Sequence, residues 1–235
     1  MKERYYVGAY WLARREPADA SARRAEAFFQ LLATCDASLA HWFAKGWTLE
    51  EALTRRFGTD AASILEVFSQ RAVDGGFSLG CWNGETHEAA SVSLHCGNAS
   101  VWVSNLCLVD LPDEGSAMER LFQAPTLAQV LRAMVVVWEP EWGVVSSDAL
   151  RNLQTESGTA GTFMGWVTYF SRRRGPLPSL PSPVRVEPVE DKGSLVILTP
   201  DRFSTSNTAH VELARTVAGL LDQAGLLGPL KPWDG

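Results

Sequence analysis

The spacing of apolar residues along the chain predicts short strands that alternate with amphipathic helices. Tyr5–Trp11 is predicted as the first strand. Residues 17–73 then form a predicted helical insert, in which Pro17 begins the first helix, Asp36 caps a short second helix and a capping box at residues 48–51 opens a third. A fourth helix completes the insert. The buried positions predicted for the first and fourth helices are Ala22, Ala25, Phe29, Leu32, Ile64, Leu65 and Phe68.

After residue 75 the apolar residues alternate with polar ones, which predicts an antiparallel meander of three strands. Side chains two residues apart share a face of a strand. One face is therefore aliphatic and rich in sulfur, with Phe77, Leu79, Cys81, Val92, Leu94, Cys96, Val101, Val103 and Cys107. The other face carries Trp82, Trp102, His95 and several serines. That second face would either be covered by another layer of the same domain or meet a partner.

The remaining pattern predicts a second strand-rich half. The predicted elements are a helix that ends at Trp138, strands at 143–147 and 163–170, a short helix at 148–153, strands at 184–188 and 195–199, and a last helix capped by Ser206 or Asn207. We therefore predict a single α+β domain over residues 1–227, with antiparallel sheets and helices packed on one side. Residues 76–138 and 163–223 would form two similar βββα halves, and residues 228–235 a frayed tail.

The corner at residues 138–142 allows two interpretations. Trp138 and Trp142 bracket Glu139, Pro140 and Glu141, and proline disfavours helix at the residue before it. In the first interpretation this is a helix-to-strand corner whose rings lie in the core while the glutamates face water. In the second, two acids and two aromatic rings form a protein-binding surface, because aromatic residues are enriched at binding hot spots.

The negative charge of the chain is concentrated in its central third. The formal net charge is −6. Residues 75–170 contain ten acidic and three basic residues, a net charge of 3 − 10 = −7, while the flanking parts are almost neutral. Nucleic acid is disfavoured as a direct partner because phosphate binding needs a basic surface. A basic protein partner is favoured, although an acidic surface that only confers solubility would give the same composition.

No catalytic, nucleotide or metal motif is found in the sequence. The four cysteines are too far apart for a zinc knuckle or a redox pair, and the four histidines lack ligand spacing. Residues 190–192, Glu-Asp-Lys, match half of a nuclease metal site but are predicted to form a hairpin turn beside Gly193. We therefore expect no cofactor, no metal and no enzymatic activity. The charged N-terminus lacks the apolar core of a secretion signal, which predicts a cytoplasmic protein.

Several segments in series resemble the immunity protein 52 family of bacterial polymorphic toxin systems. They are YYVGAYW, GFSLGCWNG, NLCLVDLPDEG, APTLAQVLRAMVVVWEPEWGVVSSDALR, VTYFSRRRGPLPSLPSPVRVEP and VILTPDRFSTSNTAHVELARTV. The resemblance implies a protein that binds and neutralises a cognate toxin, with restriction-endonuclease-fold nucleases as the usual partners.

Under this hypothesis the inhibitor occludes the toxin as a stoichiometric partner, and five acids supply the attractive field: Asp110, Asp113, Glu114, Glu139 and Glu141. Trp138 and Trp142 are candidate anchors of the interface. Two alternatives remain at this stage. One is a generic acidic protein-binding module, and the other is an oligomeric scaffold that assembles through the face of Trp82 and Trp102.

Overall fold

One antiparallel sheet runs through the chain. The computed structural model describes residues 3–46, 48–70, 72–73, 75–100 and 105–230. Nine strands follow one another in the order β2-β4-β5-β6-β1-β7-β8-β10-β9, and β3 pairs with β4 beside this path. The strands are β1 Tyr5–Trp11, β2 Phe43–Ala44, β3 Ala72–Val73, β4 Gly76–Trp82, β5 Ser91–Cys96, β6 Asn105–Asp110, β7 Trp142–Ser147, β8 Val167–Ser171, β9 Arg185–Val189 and β10 Gly193–Ile197.

Seven α-helices in the described part of the chain accompany the sheet, and polar side chains cap several of them. The helices are α1 Ala18–Cys35, α2 Leu49–Thr54, α3 Ala61–Gln70, α4 Gly115–Leu121, α5 Ala124–Trp138, α6 Asp148–Gln154 and α7 Thr208–Gln223. The side chains of Thr48, Ser147 and Asn207 each accept a backbone N–H of the first turn of α2, α6 and α7. These bonds satisfy amides that have no partner within the helix.

Helices α1, α3 and α5 cover one face of the sheet. Helix α5 packs across β1 and β7, α1 packs on both α5 and α3, and α3 reaches β4. The predicted stripe of α1 is buried at all four positions, and Ile64 and Phe68 of α3 are buried as well. Phe68 stacks on Phe77 with ring centroids 5.2 Å apart, which fixes α3 to the sheet. The core therefore lies between these helices and the aliphatic face of the strands.

The opposite face of the sheet is covered unevenly. Near β7, Phe163 packs edge-on against Trp142 with centroids 4.9 Å apart, and α6 begins directly after this strand. Over β4, β5 and β6 the face stays accessible: Trp82, Ser91 and Leu108 are half-buried, and His95 is exposed. This accessible region is the second face of the meander, so in the described part of the chain it is not covered by another layer of the domain.

The predicted α+β class is confirmed, with corrections of detail. The predicted sheets are one continuous sheet, because β1 pairs with both β6 and β7 and joins the two strand-rich halves. Pro17 precedes α1 as its N-cap, and Asp36 caps a single turn of 3-10 helix, Ala37–Leu39. The strand expected from residue 163 begins at Val167.

Three of the predicted meander positions, Val101, Trp102 and Val103, lie outside the described residues. The described elements keep the order strand, strand, strand, helix in both 76–138 and 163–223, and the similarity of the two halves stays a prediction. No single helix among the described residues is long and apolar enough to cross a membrane, and α4 with α5 meets that criterion only as a pair bent by 80°.

Candidate functional site

A row of side chains crosses five strands on the accessible face. The strand register places Trp82 opposite Ser91, Ser91 opposite Asp110, Asp110 opposite Tyr6, and Tyr6 opposite Ser146. Neighbouring strands lie about 4.8 Å apart. Asp110 therefore has Tyr6 one strand away on the side of β1, and Trp82 two strands away on the side of β4. The row therefore combines a carboxylate, aromatic rings and hydroxyl groups on one surface.

A cleft of about 690 Å³ opens above this row and continues toward α6; we refer to it as the sheet cleft. Its floor comes mainly from the aromatic residues of β1 and β7, and its rim comes from the loop after β6 and from the start of α6. Residues that line it include Arg4, Tyr6, Tyr10, Trp82, His87, Asp110, Asp113, Glu114, Trp142, Asp148 and Arg151. The cleft is thus aromatic at its base and charged at its edge.

The sequence of β1 explains the aromatic floor. Tyr6, Gly8 and Tyr10 point to the cleft face, whereas Val7 and Ala9 point to the core. A Cβ atom at Gly8 would lie 2.8 Å from the Tyr10 ring, so glycine is required for that ring to lie over the strand. Burial raises the pKa of the Tyr6 and Tyr10 hydroxyls above the ordinary value of tyrosine, and nearby Arg151 opposes this effect at both. Both hydroxyls therefore stay protonated at neutral pH.

Carboxylates outnumber cations around the sheet cleft. Asp113 lies 3.8 Å from Arg4, and Asp148 lies 3.1 Å from Arg151. Glu114 lies 3.3 Å from His87, a contact that is an ion pair only when the histidine is protonated. Asp110 is exposed and accepts a hydrogen bond of 2.7 Å from the Ser91 hydroxyl. Among the described residues that line the cleft, four carboxylates stand against Arg4 and Arg151, so these residues carry a net negative charge at neutral pH.

Glu139 and Glu141 do not belong to this acidic surface. Asp110 pairs with Tyr6 on β1, whereas the amide of Glu141 donates to the Tyr10 carbonyl. Tyr6 and Tyr10 are four residues apart, which is about 13 Å along β1. Glu139 lies 3.1 Å from Lys192, and Glu141 lies 3.1 Å from Arg173, so both corner acids are paired with cations. The five acids predicted as one field therefore form two groups at different ends of β1, and only the group of Asp110, Asp113 and Glu114 lies at the cleft.

The predicted anchors Trp138 and Trp142 are core residues. Neither indole has exposed surface. Trp138 ends α5 and stacks on Trp11, and Trp142 begins β7 and is held between Tyr10 and Phe163. The corner therefore follows the first interpretation, in which the rings fix it to the core. A partner could not contact Trp138 without unfolding the corner, and Trp142 reaches the cleft only as part of its wall.

The described residues bear on two kinds of reactive group, metal clusters and free thiols. No set of three or more histidine, cysteine or acidic side chains in the described residues is arranged to hold a metal ion. Burial raises the pKa of the Cys81, Cys96 and Cys107 thiols, which keeps them protonated. The Glu-Asp-Lys triplet at residues 190–192 forms the turn between β9 and β10, as predicted, and Lys192 is engaged by Glu139.

Sequence reasoning missed several residues of the cleft. Tyr6, Tyr10, Arg4, His87 and Arg151 were not singled out, although the alternation in YYVGAYW places both tyrosines on one strand face. That pattern could have identified the floor. The contribution of α6 could not have been found in this way, because it depends on how the chain turns after β7.

Comparison with known proteins agrees with this architecture. The model of the family described as Immunity protein 52 matches residues 3–230. The Pseudomonas aeruginosa T6SS protein PA0821 has a similar structure, with a TM-score of 0.57 and 13% sequence identity over 99% of this chain and 76% of that chain. At this identity the likeness concerns the fold alone. No curated protein matches the sequence significantly.

Proposed function

The chain belongs to the Immunity protein 52 family, and from this premise we propose that it binds and neutralises a cognate bacterial toxin. The sheet cleft and the accessible face of β4, β5 and β6 form the binding surface. The observation that carries this assignment is an accessible face that combines the half-buried Trp82 and Leu108 with a net negative cleft, whereas Trp138 and Trp142 are fully buried. Aromatic residues beside polar groups are typical of protein interfaces.

The toxin that fits this surface best is a nuclease with a basic groove. Nucleases bind a polyanion and need positive charge around their active site. An acidic cleft is complementary to such a groove and can exclude the nucleic acid by occupying or flanking it. Inhibition is then stoichiometric and non-catalytic, and the inhibitor works in the compartment where the toxin acts, the cytoplasm.

Self-assembly is the second candidate, and the half-buried Trp82 favours it, since an exposed aromatic face can also join identical chains. The two functions differ in a simple measurement. A scaffold would form an oligomer by itself, whereas a toxin inhibitor would form a complex only when the toxin is present.

Co-expression tests the proposal directly. The toxin-like reading frame beside the gene is induced in bacteria with and without this chain, and growth is followed. We expect growth to be restored and a single complex of defined stoichiometry to be recovered by size-exclusion chromatography with light scattering. Continued killing in cells that contain the soluble chain would contradict neutralisation of that toxin, and an oligomer of the chain alone would favour the scaffold.

A further inference from the structure

Asp110 occupies a distinctive place in the sheet cleft. One of its carboxylate oxygens, Oδ2, accepts the Ser91 hydroxyl at 2.7 Å. Within the described part of the chain, no cation pairs with this carboxylate, whereas Asp148 of the same cleft has its own arginine at 3.1 Å. The carboxylate therefore presents negative charge to whatever enters the cleft.

Aromatic rings surround this charge on the same face. Tyr6 lies opposite Asp110 on β1, and Trp82 lies opposite Ser91 on β4. The face of an aromatic ring attracts a cation, most strongly when the cation is removed from water. The chain already places an arginine of its own, Arg151, near Tyr6, with its guanidinium held by Asp148. A second guanidinium would find a similar pairing of ring and carboxylate at Asp110.

A second, independent feature of the cleft indicates a peptide as the carrier of this cation. Trp82 lines the cleft and is half-buried, and its indole Nε1 has no hydrogen-bond partner among the described residues. A buried donor without an acceptor is costly, and a carbonyl oxygen of an occupant would satisfy it. Trp142 also has an Nε1 atom without a partner in the described chain, but its ring has no exposed surface and is held between Tyr10 and Phe163, so an occupant does not reach it. An occupant that offers both carbonyl oxygens and a cation fits these groups.

We propose that the sheet cleft is a recognition pocket for an arginine side chain on a loop of the partner protein. The guanidinium lies against the Asp110 carboxylate between Tyr6 and Trp82, and the main chain of the loop faces the Trp82 indole. Arginine is chosen over lysine because its planar group can stack on a ring and donate two hydrogen bonds to a carboxylate at once. This inference rests on the proposed function for the identity of the partner, but the pocket can be tested without the toxin.

The experiment uses the full chain and a small probe. N-acetyl-arginine amide, which carries a guanidinium and two carbonyl groups, is titrated to concentrations on the order of tens of millimolar. The indole N–H signals are followed by two-dimensional NMR and assigned with a Trp82→Phe variant. We expect a saturable shift of the Trp82 signal, and a loss of affinity of about fivefold or more in Asp110→Asn.

Two matched controls make the result decisive. N-acetyl-citrulline amide has the same shape without the charge and should shift the Trp82 signal only weakly. Asp19→Asn removes an exposed acid from α1, on the far side of the sheet, and should bind the arginine probe as the unaltered chain does. Equal shifts with both probes, or unchanged affinity in Asp110→Asn, would overturn the pocket. Such a result would leave neutralisation of the toxin standing, because the co-expression experiment tests that function separately.

Discussion

Trp11 of β1 and Trp138 of α5 stack face to face, with ring centroids 5.3 Å apart and planes 10° apart. The two residues come from distant parts of the sequence, and both are buried. Their contact joins the central strand of the sheet to the long helix that covers it. The aromatic corner at residues 138–142 is therefore part of the packing that holds the layers together.

Replacing Trp138 with alanine should destabilise the fold. Loss of a large buried ring leaves a cavity and removes the stack on Trp11, so we expect the free energy of unfolding to fall by about 3–5 kcal/mol. Urea unfolding followed by circular dichroism measures this change. Stability equal to that of the unaltered chain would show that the ring is not in the core.

Replacing Trp82 with alanine should weaken binding of the toxin with little loss of stability. Trp82 is half-buried on the accessible face and packs loosely against Phe43, with centroids 6.5 Å apart. We expect most of the stability to remain and the affinity for the toxin to fall by about 30-fold, as for an aromatic hot spot worth about 2 kcal/mol. Surface plasmon resonance with the purified toxin tests this, and unchanged affinity would place the interface elsewhere.

Glu139 ends α5 in the left-handed region, with φ of 48°, where glycine is usually found. Glu139→Gln should remove the exposed ion pair with Lys192, which is worth about 0–1 kcal/mol. Glu139→Gly loses the same pair but relieves the backbone, so we expect it to be more stable than Glu139→Gln by about 0.5–1 kcal/mol. Thermal unfolding of the two variants decides the point, and a less stable glycine variant would mean that the Glu139 side chain contributes packing that outweighs the strain.

Asp36 connects the end of α1 to α4. Hydrogen bonds from the Arg120 guanidinium lower the pKa of its carboxyl to about 2, against an effect of burial in the other direction. The folded pKa lies below the unfolded value of about 3.9, so this carboxylate contributes stability above pH 4 that is lost as the pH falls toward 2. We expect Asp36→Asn to cost about 1–2 kcal/mol at pH 7, because the half-exposed arginine weakens the pair.

Measurements at low pH are the control for this prediction, because the Asp36 carboxylate loses its charge there. The difference in unfolding free energy between the unaltered chain and Asp36→Asn should shrink when both are measured near pH 2.5. A difference that stays constant from pH 7 to pH 2.5 would mean that the charge of Asp36 is not the cause.

The local elements could be predicted because each has a local signal. The capping residue Thr48 and the alternation of Leu79, Cys81, Val92 and Leu94 are visible in the sequence, and the structure confirms them. The joining of both halves into one sheet depends on β1, whose two partners are about 100 and 140 residues away in sequence. Such long-range pairing leaves no local pattern, and for the same reason Glu141 could not be separated from Asp110 before the register was known.

The division of the acids into two groups leads to the sharpest test of the interface. Asp110→Asn, Asp113→Asn and Glu114→Gln together remove three charges from the sheet cleft, and Glu139→Gln with Glu141→Gln removes two from the corner. The corner acids are paired with Lys192 and Arg173, so they contribute little to the field that a partner meets.

We expect the cleft variant to slow association with the toxin by about tenfold at low salt and to weaken the salt dependence of the rate, while the corner variant associates at nearly the original rate. Stopped-flow mixing at several salt concentrations measures both. Equal slowing in the two variants would mean that net charge, and not the cleft, steers the encounter, and a slower corner variant alone would move the interface to the other end of β1.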